Sequence, residues 1–211
     1  MAHRNPLAGH SEMTKARRIV AERCCGALID VQRFFLFQLD KRLRAKIETN
    51  TKNFVRLLDH FGIPMVVTLE IPVERKGTLP QEIGRHMGDH TKIFEKNFFD
   101  LSREKKVRDH LLRLKKKQVL VAGCETDVCI LQSCLGLLNL GYEVFVVEEL
   151  LFSSARNVQS ATERMKAAGA VFLTYKTLYY ELLESVDGSR HTAKALAALE
   201  PVPDDIPDVA V

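Results

Sequence analysis

The chain has 211 residues, of which 46% are hydrophobic and 27% charged, with a formal net charge of +4; this fits one well-buried globular domain and is short for two. No apolar run approaches the ~20 residues of a membrane span, and segment 1–18 lacks the apolar core of a secretory leader. The Lys/Arg clusters at 103–108 and 113–117 sit among apolar residues at helical spacing and Trp is absent, so they read as solvated helix faces, with no nucleic-acid or membrane partner expected.

Residues 1–18 form a basic tail expected to be flexible. Residues 24–29 make a short apolar run ending at Asp30, a buried strand. A helix is expected over 40–60, with Leu43, Ile47, Phe54, Leu57 and Leu58 on its stripe, closed by Gly62 and stopped by Pro64. Residues 64–69 are the second strand. The stretch 70–96 holds two prolines and three glycines without clear periodicity, and is expected to be a functional or weakly ordered loop. Ser102 is a candidate N-cap for a helix to about 115. Then come a strand at 118–123, a helix at 126–140 closed by Gly141, a strand at 143–147, a helix at 155–168 ending at Gly169, and a strand at 170–174. Helical pattern returns at 178–184 and 191–199, before a Pro- and Asp-rich tail over 200–211.

Strands alternating with helices predict an α/β fold: one doubly wound, Rossmann-like domain over 19–199. A six-stranded, mainly parallel sheet of order 3-2-1-4-5-6 with helices on both faces is expected. In such sheets ligands bind beyond the carboxyl ends of the strands, where the strand order reverses. That order sets the strand ending at Asp30 beside the strand at 118–123, so Asp30 and the segment Gly123-Cys124-Glu125-Thr126-Asp127-Val128-Cys129 would meet at one crevice.

Thr126 is a plausible N-cap there, which puts Cys129 in the first turn of a helix, where the helix dipole would lower its thiol pKa. Spacing alone does not separate such a nucleophile from a small buried hydrophobe, nor a catalytic Asp30 from a polar strand end. Lys96 stands out only because it follows the long loop and precedes Phe98-Phe99. Cys24, Cys25, Cys124 and Cys134 read as structural. The five cysteines lack the spacing of a disulfide framework, a redox pair or a zinc site, which points to a reducing compartment. Gly-rich nucleotide signatures are absent.

Four segments together resemble the isochorismatase-like cysteine hydrolases: ALIDVQ at 27–32, EKNFF at 95–99, VAGCETDVCI at 121–130 and LGYEVFVVEELLFSSARN at 140–157. The stretch from SSARN through RMKAAGAVFLT resembles the branch of isochorismatase-domain-containing proteins. The resemblance implies an Asp30–Lys96–Cys129 triad, a cis peptide before Glu125, and an oxyanion hole from the backbone N–H groups of Glu125 and Cys129. Gln32, Phe35 and Glu70 are the expected substrate-binding residues. The Asp-x-His metal motif of family nicotinamidases is missing from 68–90, so no metal or other cofactor is expected, and His86, Asp89 and His90 read as solvated loop residues. Glu149 stands where family members often have Asp. The resemblance therefore implies a cysteine hydrolase that cleaves a C–N, amide-type bond of a small molecule through a thioester. It is expected in the cytoplasm as a homo-oligomer. The alternatives are a non-catalytic binding or assembly protein that keeps the fold, an organelle-targeted form, and a thiol redox protein, which would lack a nearby resolving cysteine.

Overall fold

The computed structural model describes residues 17–185; the helix expected at 191–199, the C-terminal tail and nearly all of the N-terminal one lie outside them. The described elements run β1 (Cys24–Ile29), α1 (Arg33–Leu36), α2 (Lys41–His60), β2 (Met65–Glu70), α3 (Val73–Lys76), α4 (Gln81–Gly84) and β3 (Thr91–Lys96). They continue α5 (Lys105–Leu114), β4 (Gln118–Gly123), α6 (Leu131–Asn139), β5 (Glu143–Leu151), α7 (Gln159–Ala167), β6 (Val171–Leu173) and α8 (Tyr175–Leu183). The strands form one six-stranded sheet of order β3-β2-β1-β4-β5-β6, and every adjacent pair is parallel.

Both faces of this sheet are covered. In β1, Cys24 and Leu28 pack with Phe54 and Leu57 of α2 and Tyr175 and Leu178 of α8. Cys25, Ala27 and Ile29 point the other way, into Val107 and Leu111 of α5, Cys134 of α6 and Met165 of α7. All six β1 residues are buried, which is why the central strands read as unbroken apolar runs rather than alternating ones. Helix α2 starts where Asp40 accepts hydrogen bonds from the Arg42 and Leu43 N–H groups, and Gly62 follows it in the left-handed region.

Four expectations are corrected. The stretch 70–96 is not an irregular loop: it holds α3, α4 and the edge strand β3. Strand β3 is mostly half-buried or exposed, with Ile93 54% accessible, so its mixed composition follows from its edge position. Asp100, not Ser102, caps the turn before α5, its carboxylate accepting the Ser102 N–H at 2.8 Å. Helix α7 begins at Gln159 rather than near 155, where the Asn157 side chain accepts the Gln159 N–H. Strand β5 runs on to Leu151 through a register shift against β4 between Val121 and Gly123.

Candidate active site

The carboxyl ends of four strands meet at one place. Ile29 of β1 pairs with Thr68 of β2 on one side and Gly123 of β4 on the other, and Glu70 of β2 pairs with Lys96 of β3. Asp30 leaves β1 with φ of 53°, a left-handed conformation that Asp tolerates better than most residues. Gly123 has φ of 122°, and a Cβ there would lie 2.0 Å from the Ile29 carbonyl oxygen, so only glycine lets β4 turn away this close to β1.

Lys96 reaches over β2 to Asp30, a span of two inter-strand spacings, roughly 10 Å, which suits the longest aliphatic stem. Its Nζ lies 2.7 Å from Asp30 Oδ2, donates to Cys129 Sγ at 3.5 Å and lies 3.7 Å from Glu70 Oε2. Thr68 donates to the other Asp30 oxygen at 2.8 Å. The Cys129 thiol donates to Glu70 Oε2 at 3.3 Å, and Glu70 Oε1 is paired with the Lys76 ammonium. The side chains of Asp30 and Lys96 are fully buried, and Cys129 is 2% exposed. Among the described residues, the side chains gathered within metal-ligating reach are Asp30, Glu70 and Cys129. The Lys96 ammonium already stands among all three, and it would repel a metal ion there.

Cys129 sits on a π-helical turn, Thr126–Ile130, that precedes α6, with the Ile130 N–H bonded to the Glu125 carbonyl at 3.0 Å. The Cys124–Glu125 peptide is cis. Thr126 is not the cap expected from the sequence: its hydroxyl and N–H both donate to the Phe152 carbonyl, at 3.0 and 3.1 Å. The lowered thiol pKa expected from a helix N-terminus is also corrected. Burial pushes the Cys129 thiol up, the Asp30 and Glu70 charges add to the rise, and Lys96 offsets only part of it. Burial likewise lifts Asp30 above the usual carboxylate range, against the pull of Lys96. For Lys96, burial works downward, but the charges of Asp30, Cys129 and Glu70 outweigh it and the net direction is up. Burial opposes ionisation of Glu70 as well, yet the Lys76 and Cys129 hydrogen bonds and the Lys96 charge hold it below its ordinary value.

Asp30, Lys96, Cys129 and Glu70 are thus brought together. Gln32 and Phe35 are not in that contact set. The Gln32 amide is engaged with backbone: its Oε1 accepts the Glu70 N–H at 2.7 Å, and its Nε2 donates to the carbonyls of Glu70 and Gly77. Phe35 is buried in the core beneath, edge-on to Phe34. Glu149 lies elsewhere, accepting the Tyr175 N–H at the start of α8. His90 faces Asp59, and His86 accepts from Arg85. Sequence reasoning missed Thr68 and Lys76. Thr68 had a signal: it and Glu70 are the polar residues of β2 and, two apart, share one sheet face. Lys76 had none, because only the folded α3 brings it to Glu70.

A parallel α/β sheet with a buried carboxylate, ammonium and thiol at its switch point defines the class. The chain belongs to the isochorismatase family: the Isochorismatase domain matches residues 25–177. It is 28% identical to isochorismatase family protein 1B of Dictyostelium discoideum over 88% of each chain. With the secreted isochorismatase effector Isc1 of Phytophthora sojae it shares 32% identity, over 83% of this chain and 85% of that one. Among solved structures, the MAR1 ribonuclease of Caenorhabditis elegans superposes with a TM-score of 0.77 at 24% identity, covering 90% of this chain and 98% of that one. The YcaC product of Escherichia coli, described as an octameric hydrolase of unknown specificity, gives 0.77 at 23% identity over 86% and 88%. These two likenesses speak for the fold. No helix among the described residues is long and apolar enough to cross a membrane.

Proposed function

We propose that this family hydrolase is a cysteine amidohydrolase acting on a small molecule, with Cys129 as nucleophile, Asp30 as proton acceptor and donor, and Lys96 as the cation that holds both. The observation that carries the reading is the Lys96 ammonium, 2.7 Å from Asp30 and 3.5 Å from the Cys129 sulfur in a water-shielded site. Because burial keeps the resting thiol protonated, the proton leaves as attack occurs. Asp30, whose basicity burial raises, takes it while Sγ bonds to the carbonyl carbon. The backbone N–H groups of Glu125 and Cys129, on the turn that carries the sulfur, serve the developing oxyanion. The C–N bond then breaks as Asp30 returns the proton to nitrogen, and water hydrolyses the thioester. Lys96 stays charged throughout, holding the Asp30 carboxylate at rest and the sulfur as its proton leaves.

No cofactor enters this scheme. The E. coli neighbour's octamer and the exposed Phe34, Phe37 and Phe99 support a homo-oligomer. The test is turnover of a panel of small amides by Cys129→Ala and Asp30→Asn: both should abolish or nearly abolish it, and a substrate turned over undiminished by both variants would refute the triad. A second reading, a binding or assembly protein on the same fold, is favoured by the raised thiol. It predicts reversible ligand binding with no acyl adduct on Cys129 by mass spectrometry.

A further inference from the structure

Glu70 is the one carboxylate of the cluster that the triad mechanism leaves without work, and its placement is specific. Its backbone is clamped on three sides: its N–H goes to Gln32 Oε1, its carbonyl to Gln32 Nε2, and the next N–H, of Ile71, to the Lys96 carbonyl. One side-chain oxygen, Oε1, is taken by Lys76. The other, Oε2, accepts from the Cys129 thiol at 3.3 Å. Asp30 is held by Thr68 and Lys96 and also shares a hydrogen bond with the Cys129 side chain, so at rest the thiol lies between Glu70 and the proton acceptor of the mechanism.

Beside the Lys96 ammonium, the sulfur thus has an acceptor-only neighbour, Glu70 Oε2, one hydrogen-bond length away. When a carbonyl carbon approaches Sγ, the atom it carries as leaving group comes within reach of the same Oε2. If that atom bears a hydrogen, it takes the place of the thiol at Glu70 and frees the S–H to turn to Asp30. If it is an ester oxygen or a fully substituted nitrogen, a carboxylate faces a group with nothing to donate, and the thiol stays engaged. A site built around one buried acceptor rejects analogues that lack the matching donor far more strongly than an apolar pocket can.

We propose that Glu70 is the specificity-determining residue of this site, reading an N–H on the scissile nitrogen and so restricting substrates to primary and secondary amides or ureides, to the exclusion of esters and tertiary amides. This rests on the cysteine-hydrolase reading and names its substrate class. Gln32 and Lys76 are positioning residues that hold Glu70 in place for it.

The experiment uses the full chain and two acylating probes of nearly equal shape, 4-nitroacetanilide, whose scissile nitrogen carries an N–H, and N-methyl-4-nitroacetanilide, whose scissile nitrogen does not. Each is attacked at its carbonyl carbon: one Sγ–C bond forms, the C–N bond breaks, and the thiol proton leaves on the nitroaniline nitrogen. Labelling rates at Cys129, read as acetylation, are followed by peptide mass spectrometry and each is divided by the rate of the same probe with a free thiol. The expected result is a normalised preference of roughly tenfold for the N–H probe, the size of one lost hydrogen bond to a charged acceptor, which collapses in Glu70→Met. A normalised ratio near one in the wild-type protein overturns the inference without recourse to any variant, as does a preference that Glu70→Met retains. Labelling of Cys129 no faster than of the structural Cys24 or Cys134 would instead take down the cysteine-hydrolase reading itself. Selective labelling of Cys129 that ignores the N–H takes down only the role of Glu70.

Discussion

Two ion pairs lie side by side at the carboxyl edge of the sheet, and they are built differently. The inner one, Asp30–Lys96, joins β1 to β3 with both side chains at 0% exposure. The outer one, Glu70–Lys76, joins the end of β2 to the short α3 with side chains 12% and 21% exposed. The inner pair is shut away from water by burial, which suits a proton-transfer unit. The outer pair borders solvent, so its partner can be replaced, which suits recognition. Burial thus divides chemistry from selection within a few ångströms.

The largest expected effects fall on the inner region. Cys129→Ala should leave no turnover, and Asp30→Asn should lower kcat by about 10²–10⁴, read in steady-state assays once an amide substrate is in hand. Lys96→Met leaves a buried carboxylate unpaired and should cost about 3–5 kcal/mol of stability by urea denaturation; adding Asp30→Asn in the same chain should restore part of that loss. Gly123→Ala forces a side chain into the Ile29 carbonyl at φ of 122° and should destabilise on the order of 3 kcal/mol.

The outer pair should respond more mildly. Lys76→Gln should cost about 1 kcal/mol or less, and a loss as large as that of Lys96→Met would erase the distinction between the pairs. The smallest effect is in pH dependence. Glu70 is held below its ordinary value in the fold, so its contribution is full above the unfolded value of about 4.3 and is lost as pH falls through the lower folded value. Glu70→Gln should therefore flatten the acid side of the stability profile. Lys96, held above its ordinary value, contributes fully below about 10.4, and that contribution is lost only as pH rises through the higher folded value.

The central strands and both ends of α2 are legible because their signals are local. An apolar run such as 24–29, ended by Asp30, is a buried strand in any parallel sheet, and Asp40 and Gly62 bracket α2 by their own backbone chemistry. Strand β3 was hidden for the opposite reason: an edge strand needs no apolar face of its own, and Thr-Lys-Ile-Phe-Glu-Lys has the composition of a loop until β2 pairs with it. Helix α5 starts at Lys105, two residues later than a Ser102 cap implies, because Asp100 caps a separate turn, Leu101–Arg103, whose Leu101 N–H donates to the Ser133 hydroxyl at 3.0 Å.

What the sequence determined by itself was the order of the central strands and the long helix, the doubly wound sheet and the residue types at the central strand ends, since these follow from hydrophobic pattern and turn chemistry along a few neighbouring residues. Which charges meet was decided only by tertiary structure. Whether Glu70 faces the sulfur, whether Lys76 reaches Glu70, and whether the thiol rises or falls in pKa depend on strand register and on the water excluded from the crevice. Those are properties of distances between segments far apart in the chain, and local sequence does not encode them.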